Sequence, residues 1–233
     1  MRIKDYIKSH AWANSVIAWI YRFISYNKIV DEGYNNTVSL NVSGLFLSKS
    51  RIRIKGSGNS IIFLPNELGA VSHFVDLRID IQGNNNRIVI GSHSSGIGLR
   101  LCMENDNNQI LLGEHFTVGP NTELAVIEGT SIEFGNDCQL SANITLRTGD
   151  SHSITDLRGR RTNPSKSIKI GNHVWIGNTV LVFKGTRVGD NSIIAGGAVV
   201  GGKTFPEHCI IGGNPAKVIK EDVNWDRNRL PIL

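Results

Sequence analysis

The chain has 233 residues, of which 40% are hydrophobic and 19% are charged. This composition is typical of a folded globular protein and excludes a largely disordered or membrane-embedded chain. The formal charge of +5 favours an anionic partner, but the absence of a basic stripe with interleaved aromatic residues argues against nucleic acid.

The first 30 residues form a separate segment whose apolar side chains recur at helical spacing. The recurring positions are Trp12, Val16, Trp19, Ile20, Phe23 and Ile24. We expect a short N-terminal helical segment over residues 1–30 that packs on the body or on a neighbouring subunit. The run Ser15–Tyr21 is far shorter than the roughly 20 residues that cross a bilayer. The alternative is peripheral contact with the inner face of the cytoplasmic membrane, with lysine and arginine side chains near the headgroups.

An irregular repeat occupies residues 38 to 149. Units such as IRIKGSGNSIIF and IDIQGNNNRIVIG place a Gly/Asn turn between short aliphatic runs, which predicts short strands that stack coil on coil. The cysteines are Cys102, Cys138 and Cys209, without a C-x-x-C pair. We therefore expect neither a disulfide framework nor a metal site, and a cytoplasmic location fits.

The repeat is interrupted between Leu146 and Ile170, and His152 lies near the start of the interruption. An interruption in a solenoid projects a loop from one face, often the binding face. We therefore expect a protruding loop at about 150–168.

Six strict hexads follow: IGNHVW, IGNTVL, VFKGTR, VGDNSI, IAGGAV and VGGKTF. Each hexad begins with Ile or Val, and its fifth residue is small or β-branched. A period of six matches neither an amphipathic helix nor an alternating hairpin. It predicts a short strand plus a turn, with three such units closing one triangular coil. We expect an all-β parallel β-helix over residues 31–220, followed by a tail over 221–233. A right-handed β-helix is the alternative, which the strict hexads disfavour.

The hexads resemble those of the hexapeptide-repeat acyltransferases, together with the stretches TGDSHSITD, IIAGGAVV and IIGGNPAKVIK. Their order is similar to that in the maltose and galactoside O-acetyltransferases. The sequence of the loop is similar to that of bacterial O-acetyltransferases of capsule, polysialic acid and O-antigen. The resemblance implies a left-handed parallel β-helix, a homotrimer with active sites between subunits, and acetyl-CoA as the acyl donor without a metal.

The resemblance places His152 at the catalytic histidine position, as the general base that takes the proton of the acceptor hydroxyl. Asp150 and Asp156 flank it and are candidates for orienting the imidazole or binding the acceptor. Arg160 lies in the same loop and is a candidate for gripping an acidic glycan. We predict Asp150 and Arg160 as acceptor-binding residues; the alternatives are an ordinary turn aspartate and a solvated arginine.

Trp175 follows the fifth residue of its hexad and should point outward, where the resemblance implies a tryptophan beside the thioester. The other residues that the resemblance assigns to the coenzyme are Gly177, Ala195, Gly196, Gly197, Lys203, Asn214, Pro215 and Lys217. Lys203 matches the family's lysine only after a shift of one position, because the segment before Pro206 is longer than usual. His173 lies in a hexad turn and is expected to be solvated.

These inferences predict an O-acetyltransferase that moves an acetyl group from acetyl-CoA onto a sugar hydroxyl of a bacterial capsule or O-antigen, and the acceptor is expected to be anionic, such as a sialylated polymer. Direct transfer is favoured because no cysteine or G-x-S-x-G serine stands where an acyl-enzyme would need one. Two alternatives remain open. One is an N-acetyltransferase acting on an amino-sugar nucleotide, and the other is a non-catalytic β-helix that binds or scaffolds.

Overall fold

A computed structural model describes residues 26–232 of the chain. Most of the expected N-terminal helical segment, with its expected membrane or subunit contact, lies outside the described residues. The part that is described contradicts a boundary at residue 30, because Lys28–Glu32 is already a strand. Within residues 26–232 the regular structure consists of β-strands, and no helix occurs.

Twenty-five strands follow one another along the described chain. The first twelve are β1 (Lys28–Glu32), β2 (Thr37–Ser39), β3 (Leu45–Ser48), β4 (Arg51–Lys55), β5 (Ser60–Phe63), β6 (Ser72–Val75), β7 (Arg78–Gln82), β8 (Arg87–Ile90), β9 (Ser95–Ile97), β10 (Leu99–Glu104), β11 (Gln109–Leu112) and β12 (Thr117–Val118). The others are β13 (Thr122–Ile127), β14 (Ser131–Phe134), β15 (Gln139–Leu140), β16 (Thr145–Arg147), β17 (Ile168–Ile170), β18 (Trp175–Ile176), β19 (Leu181–Phe183), β20 (Arg187–Val188), β21 (Ile193–Ile194), β22 (Val199–Val200), β23 (Thr204–Phe205), β24 (Ile210–Gly213) and β25 (Ala216–Lys220).

Every third strand belongs to the same sheet, so three sheets form the faces of a triangular prism. Sheet 1 runs from β1 through β4, β7 and onward to β22, and sheet 2 runs from β2 through β5 to β23. Sheet 3 runs from β3 through β6 to β24 and ends with β25. Neighbouring strands are parallel, as in β4 and β7, except that β25 returns antiparallel to β24. The expected left-handed parallel β-helix is confirmed.

The coils shorten along the chain. In the early coils a residue is hydrogen-bonded to one that lies 22 to 27 positions away in the next coil. From the hexads onward this separation is 18 positions, which equals three hexads. The change from long to short coils confirms the division into irregular and strict repeats.

The inward side chains of the three sheets form one apolar core that extends along the prism. In the hexads the buried first residues are Ile170, Ile176, Val182, Val188, Ile194 and Val200. The last hexad departs from the register that the sequence predicts, because Phe205 is buried while Thr204 is exposed. The final coil is one residue shorter than the others, with a separation of 17 positions between Ser192 and Cys209.

A ladder of asparagines, buried from Asn59 onward, lines the corner between sheets 1 and 2. The side-chain oxygen of Asn36 accepts the backbone N–H of Asn59 at 2.9 Å. Asn59 accepts in the same way from Asn86, and Asn86 from Asn108. Because each buried amide is satisfied by the adjoining coil, the ladder fixes the register of consecutive coils.

Candidate active site

The loop expected at about 150–168 occupies residues 148–167, between β16 of sheet 1 and β17 of sheet 2. Across it, the separation between bonded residues of adjacent coils rises to 36 positions. At its base the backbone N–H of Lys166 donates to the carbonyl of Thr148. The hydroxyl of Thr130 in the coil below lies 2.6 Å from that of Thr148. The loop therefore projects from the same corner as the asparagine ladder.

Asn163 holds the interior of this loop together. Its Nδ2 donates to the carboxylate of Asp150 at 2.7 Å and to the carbonyl of His152 at 2.8 Å. Its Oδ1 accepts the backbone N–H of Ile154 at 2.7 Å. Only 8% of Asn163 is exposed, so these bonds form away from bulk water. Asn163 cannot be identified from the sequence, because it resembles any polar turn residue.

Within the described part of the chain, the backbone of His152 is held by a hydrogen bond, whereas its ring is not. The residue is exposed, and within residues 26–232 its imidazole makes no hydrogen bond. Asp150, expected to orient the ring or bind the acceptor, instead forms an ion pair with Lys184. Lys184 and Asn163 hold the pKa of Asp150 below its usual value. Both imidazole nitrogens of His152 are thus open to a ligand.

Arg160 forms an ion pair within the loop, and Arg161 forms one with the body. The guanidinium of Arg160 binds the carboxylate of Asp156 at 2.8 Å. Asp156 also accepts the backbone N–H of Arg160, and this lowers the pKa of its carboxyl group. Arg161 forms a two-point ion pair with Glu128 of the body, and its Nη2 is 3.1 Å from Oε2. That pair, with Ser165, lowers the pKa of Glu128 to about 2. Arg160 and Arg161 therefore already have carboxylate partners.

Trp175 lies on sheet 3, next to the corner that leads to sheet 1. It faces outward, as the hexad register predicts, with 37% of its surface exposed. Its indole N–H donates to the hydroxyl of Ser141 at 3.3 Å. An exposed indole of this size next to a corner offers a flat apolar surface to a ligand.

The corner beside Trp175 is bare. A Cβ atom on Gly177 would lie 2.6 Å from the backbone nitrogen of Gly196, so a side chain there is excluded. Gly197 has a φ of +74° with no atom within 4 Å of its Cβ position. The N–H groups of Gly177, Ala195 and Gly197 donate within the chain. That of Gly196 has no acceptor in the described part of the chain.

The remaining predicted coenzyme residues lie at other edges. Lys203 is exposed at the corner between sheets 1 and 2, after β22. Asn214 and Pro215 form the turn between β24 and β25, and Lys217 lies exposed on β25. The structure thus places Trp175 and the glycine corner on one side of sheet 1, and His152 and Lys203 on the other. It does not bring His152 and Trp175 to the same corner.

The C-terminal tail packs on the outer face of sheet 3. The ring of Trp225 stacks on His173, with centroids 4.3 Å apart, and lies 6.2 Å from Trp175. The expectation that His173 is solvated is wrong. One of its ring nitrogens is 2.6 Å from the carboxylate of Asp137, and the other is 2.9 Å from the carbonyl of Trp225. Both ring nitrogens are therefore engaged by groups of the body and the tail.

Arg227 ties the tail to five residues of the body. It donates to Asp137 at 2.7 Å and to the side chains of Thr117 and Gln139. Burial acts to raise the pKa of Asp137, but the bonds from Arg227 and His173 leave it below its usual value. Trp225 and Arg227 lie outside any repeat, so the sequence pattern does not single them out.

Two classes of site are not found in the described residues. Among residues 26–232, no cluster of three histidine, cysteine or acidic side chains is arranged to hold a metal ion. The same part of the chain contains no helix of the length and hydropathy that a membrane span needs.

Comparison with known proteins gives O-acetyltransferases among the relatives. No family model matches the chain. The polysialic acid O-acetyltransferase of Neisseria meningitidis is 32% identical over 198 residues, which is 84% of this chain and 88% of the relative. The galactoside O-acetyltransferase of Escherichia coli (strain K12) is 32% identical over 108 residues, 46% of this chain and 53% of the relative.

Two solved structures have the same fold over most of the chain. The polySia-specific acetyltransferase NeuO has a TM-score of 0.77 with 26% identity, covering 89% of this chain and 85% of that one. The polysialic acid O-acetyltransferase OatWY also has a TM-score of 0.77, with 27% identity, covering 87% of this chain and 92% of that one.

Proposed function

The chain belongs to the family of the polysialic acid O-acetyltransferases, within the hexapeptide-repeat acyltransferases, and we propose that it acetylates a hydroxyl of a sialic acid polymer of a bacterial capsule, using acetyl-CoA. Membership makes the chain an O-acetyltransferase with an acyl-CoA donor. The polymer is inferred from the names of its relatives. The observation that carries the site is the loop 148–167, which presents an unpartnered imidazole at a corner of the prism.

His152 is the general base of the proposed reaction. It takes the proton of the sugar hydroxyl while that oxygen attacks the thioester carbon of acetyl-CoA. The carbon–sulfur bond then breaks, and the proton passes to the departing thiolate to give CoA. The open nitrogens of His152 support this role. The loop carboxylates are less suited to it, because Asp150 and Asp156 are already held by cations.

The donor lies along the bare corner next to Trp175. The pantetheine arm passes over Gly177, Ala195 and Gly197, where side chains are small or absent. The free N–H of Gly196 is available for an amide carbonyl of the arm or for the oxyanion. Lys203, Asn214, Pro215 and Lys217 extend the binding surface, with the two lysines suited to the coenzyme phosphates.

The complete site contains residues from two subunits of a homotrimer. His152 and Trp175 lie at corners on opposite sides of sheet 1, so one chain does not supply both to one cleft. A three-fold assembly would bring the Trp175 corner of one subunit to the loop of its neighbour. The outward apolar residues Leu181 and Phe183 on sheet 1, each more than a third exposed, adjoin both corners.

The proposal is tested by product analysis. Purified protein is incubated with acetyl-CoA and polysialic acid, and released CoA thiol is followed together with acetyl incorporation into the polymer. We expect incorporated acetyl groups to be lost in mild alkali, because an ester is labile and an amide is not. Alkali-stable acetyl on an amino sugar would favour the N-acetyltransferase instead. Absence of CoA binding would favour a scaffold.

A further inference from the structure

A row of cations crosses the outer face of sheet 1. The strand register aligns Lys28 with Arg51, Arg51 with Arg78, and Arg78 with Arg100. These residues alternate with buried aliphatic ones such as Ile52, so they share the outward face. Neighbouring strands lie about 4.8 Å apart, and like charges directly opposite one another destabilise a sheet. Four in succession are therefore unfavourable unless negative charges lie close to them.

The row lies in a continuous groove. Three adjoining depressions of about 490, 380 and 300 Å³ cover this face, and Arg100 lines all of them. The one nearest the N-terminal coils is lined by Arg51 and Arg78, among others. The farthest is lined by Arg147 and Ser151. The groove therefore ends at the residue next to His152.

The acidic side chains near the groove do not neutralise all of its basic side chains. Arg78 pairs with Asp76 at 3.0 Å, and Arg100 pairs with Glu123 at 3.4 Å. Both arginines are more than half exposed, at 60% and 53%, and exposed pairs of this kind add little stability and can yield to an external anion. Arg51 forms no ion pair within residues 26–232.

We propose that this groove is a binding track for the acceptor polymer, and this rests on the proposed function. A linear chain with carboxylates at regular intervals lies across the strands, along the cation row, and reaches His152 at the loop end. From the strand of Lys28 to that of Arg147 the track spans five strand spacings, or about 24 Å. Several sugar units would be held at once, so the enzyme should prefer long acceptors over short ones.

The test compares two double variants that lose the same charge. Arg51→Gln/Arg78→Gln removes two members of the row, whereas Arg87→Gln/Arg187→Gln removes two exposed arginines from sheet 2. The readout is the ratio of kcat/KM for long polysialic acid to that for the sialic acid trimer. We expect the track variant to lose about tenfold in this ratio and the control to keep it. Rising salt should lower the ratio of the unmodified enzyme more than that of the track variant.

Direct binding separates failure of the track from failure of the proposed reaction. The affinity of long polysialic acid for each protein is measured by calorimetry without acetyl-CoA. Weaker binding by the track variant alone supports the track, whichever glycan the enzyme modifies. Equal affinity of the track variant and the unmodified protein, or an equal loss in the control, overturns it. An enzyme that binds the polymer on the track but does not acetylate it would refute the proposed function and leave the track standing.

Discussion

Asn163 positions the backbone of His152, the proposed general base. Asn163 is hydrogen-bonded to the backbone of His152 and to the carboxylate of Asp150. The loop is thus held from within while the imidazole stays open to solvent. An exposed ring contributes little to folding, so its loss should affect the chemistry rather than the stability.

We predict that His152→Ala lowers kcat by about 10²–10⁴ and leaves acetyl-CoA affinity and the thermal midpoint close to those of the parent. The reason is that the variant loses proton removal from the acceptor hydroxyl, while the glycine corner that holds the donor is unchanged. The fall in kcat is checked by steady-state rates, the coenzyme affinity by calorimetry and the thermal midpoint by thermal unfolding. A variant within about threefold of the parent rate would exclude His152 as the base.

The residues of the loop also show what a single sequence reveals. His152 could be singled out because it lies at a break in the repeat. The same break singles out Asp150 and Arg160. In the structure, however, Asp150 pairs with Lys184 of the body and Arg160 pairs with Asp156 of the loop. Their pairing depends on how the loop folds back on itself, which spacing along the chain does not encode.

At the level of elements, the hexads predicted the inward positions from Ile170 to Val200 because each strand contributes one aliphatic residue per turn. The regular pattern fails at the last hexad, where the fifth residue, Thr204, is exposed and Phe205 is buried instead. The preceding Gly201 and Gly202 permit a tighter corner, and Gly202 has a φ of +55°. A six-residue period in the sequence predicts corners of regular length, but it cannot predict a corner that is one residue shorter.

The C-terminal tail is an element that periodicity cannot predict, because its contacts are made by individual side chains. Arg227→Ala removes five hydrogen bonds to the body. We predict a loss of roughly 1–3 kcal/mol in the free energy of unfolding, since Asp137 also loses its charged partner. Arg229→Ala is the matched control in the same tail. Denaturant unfolding of the two variants compares them, and equal midpoints would show that the tail contacts do not stabilise the fold.

At the scale of the whole molecule, the separation of His152 from Trp175 across sheet 1 leads to an experiment on mixed assemblies. His152→Ala and Trp175→Ala subunits should each form inactive homotrimers. If a cleft takes one residue from each of two neighbours, random mixing in equal amounts restores about one quarter of the clefts. Activity of co-refolded mixtures measures this. No recovery, with mixed trimers verified by mass spectrometry, would place both residues in one subunit's site.

The asparagine ladder of the early coils has an evolutionary consequence. Each rung joins Asn59, Asn86 or Asn108 to the equivalent residue of the coil before it, and these separations are 23, 27 and 22 residues. The asparagine corner is therefore kept while the rest of each coil varies in length. Deleting or duplicating an entire coil keeps all the rungs matched. Descendants of this gene should therefore gain or lose residues away from the asparagine corner or by whole coils, and a copied coil would carry another position of the cation row with it.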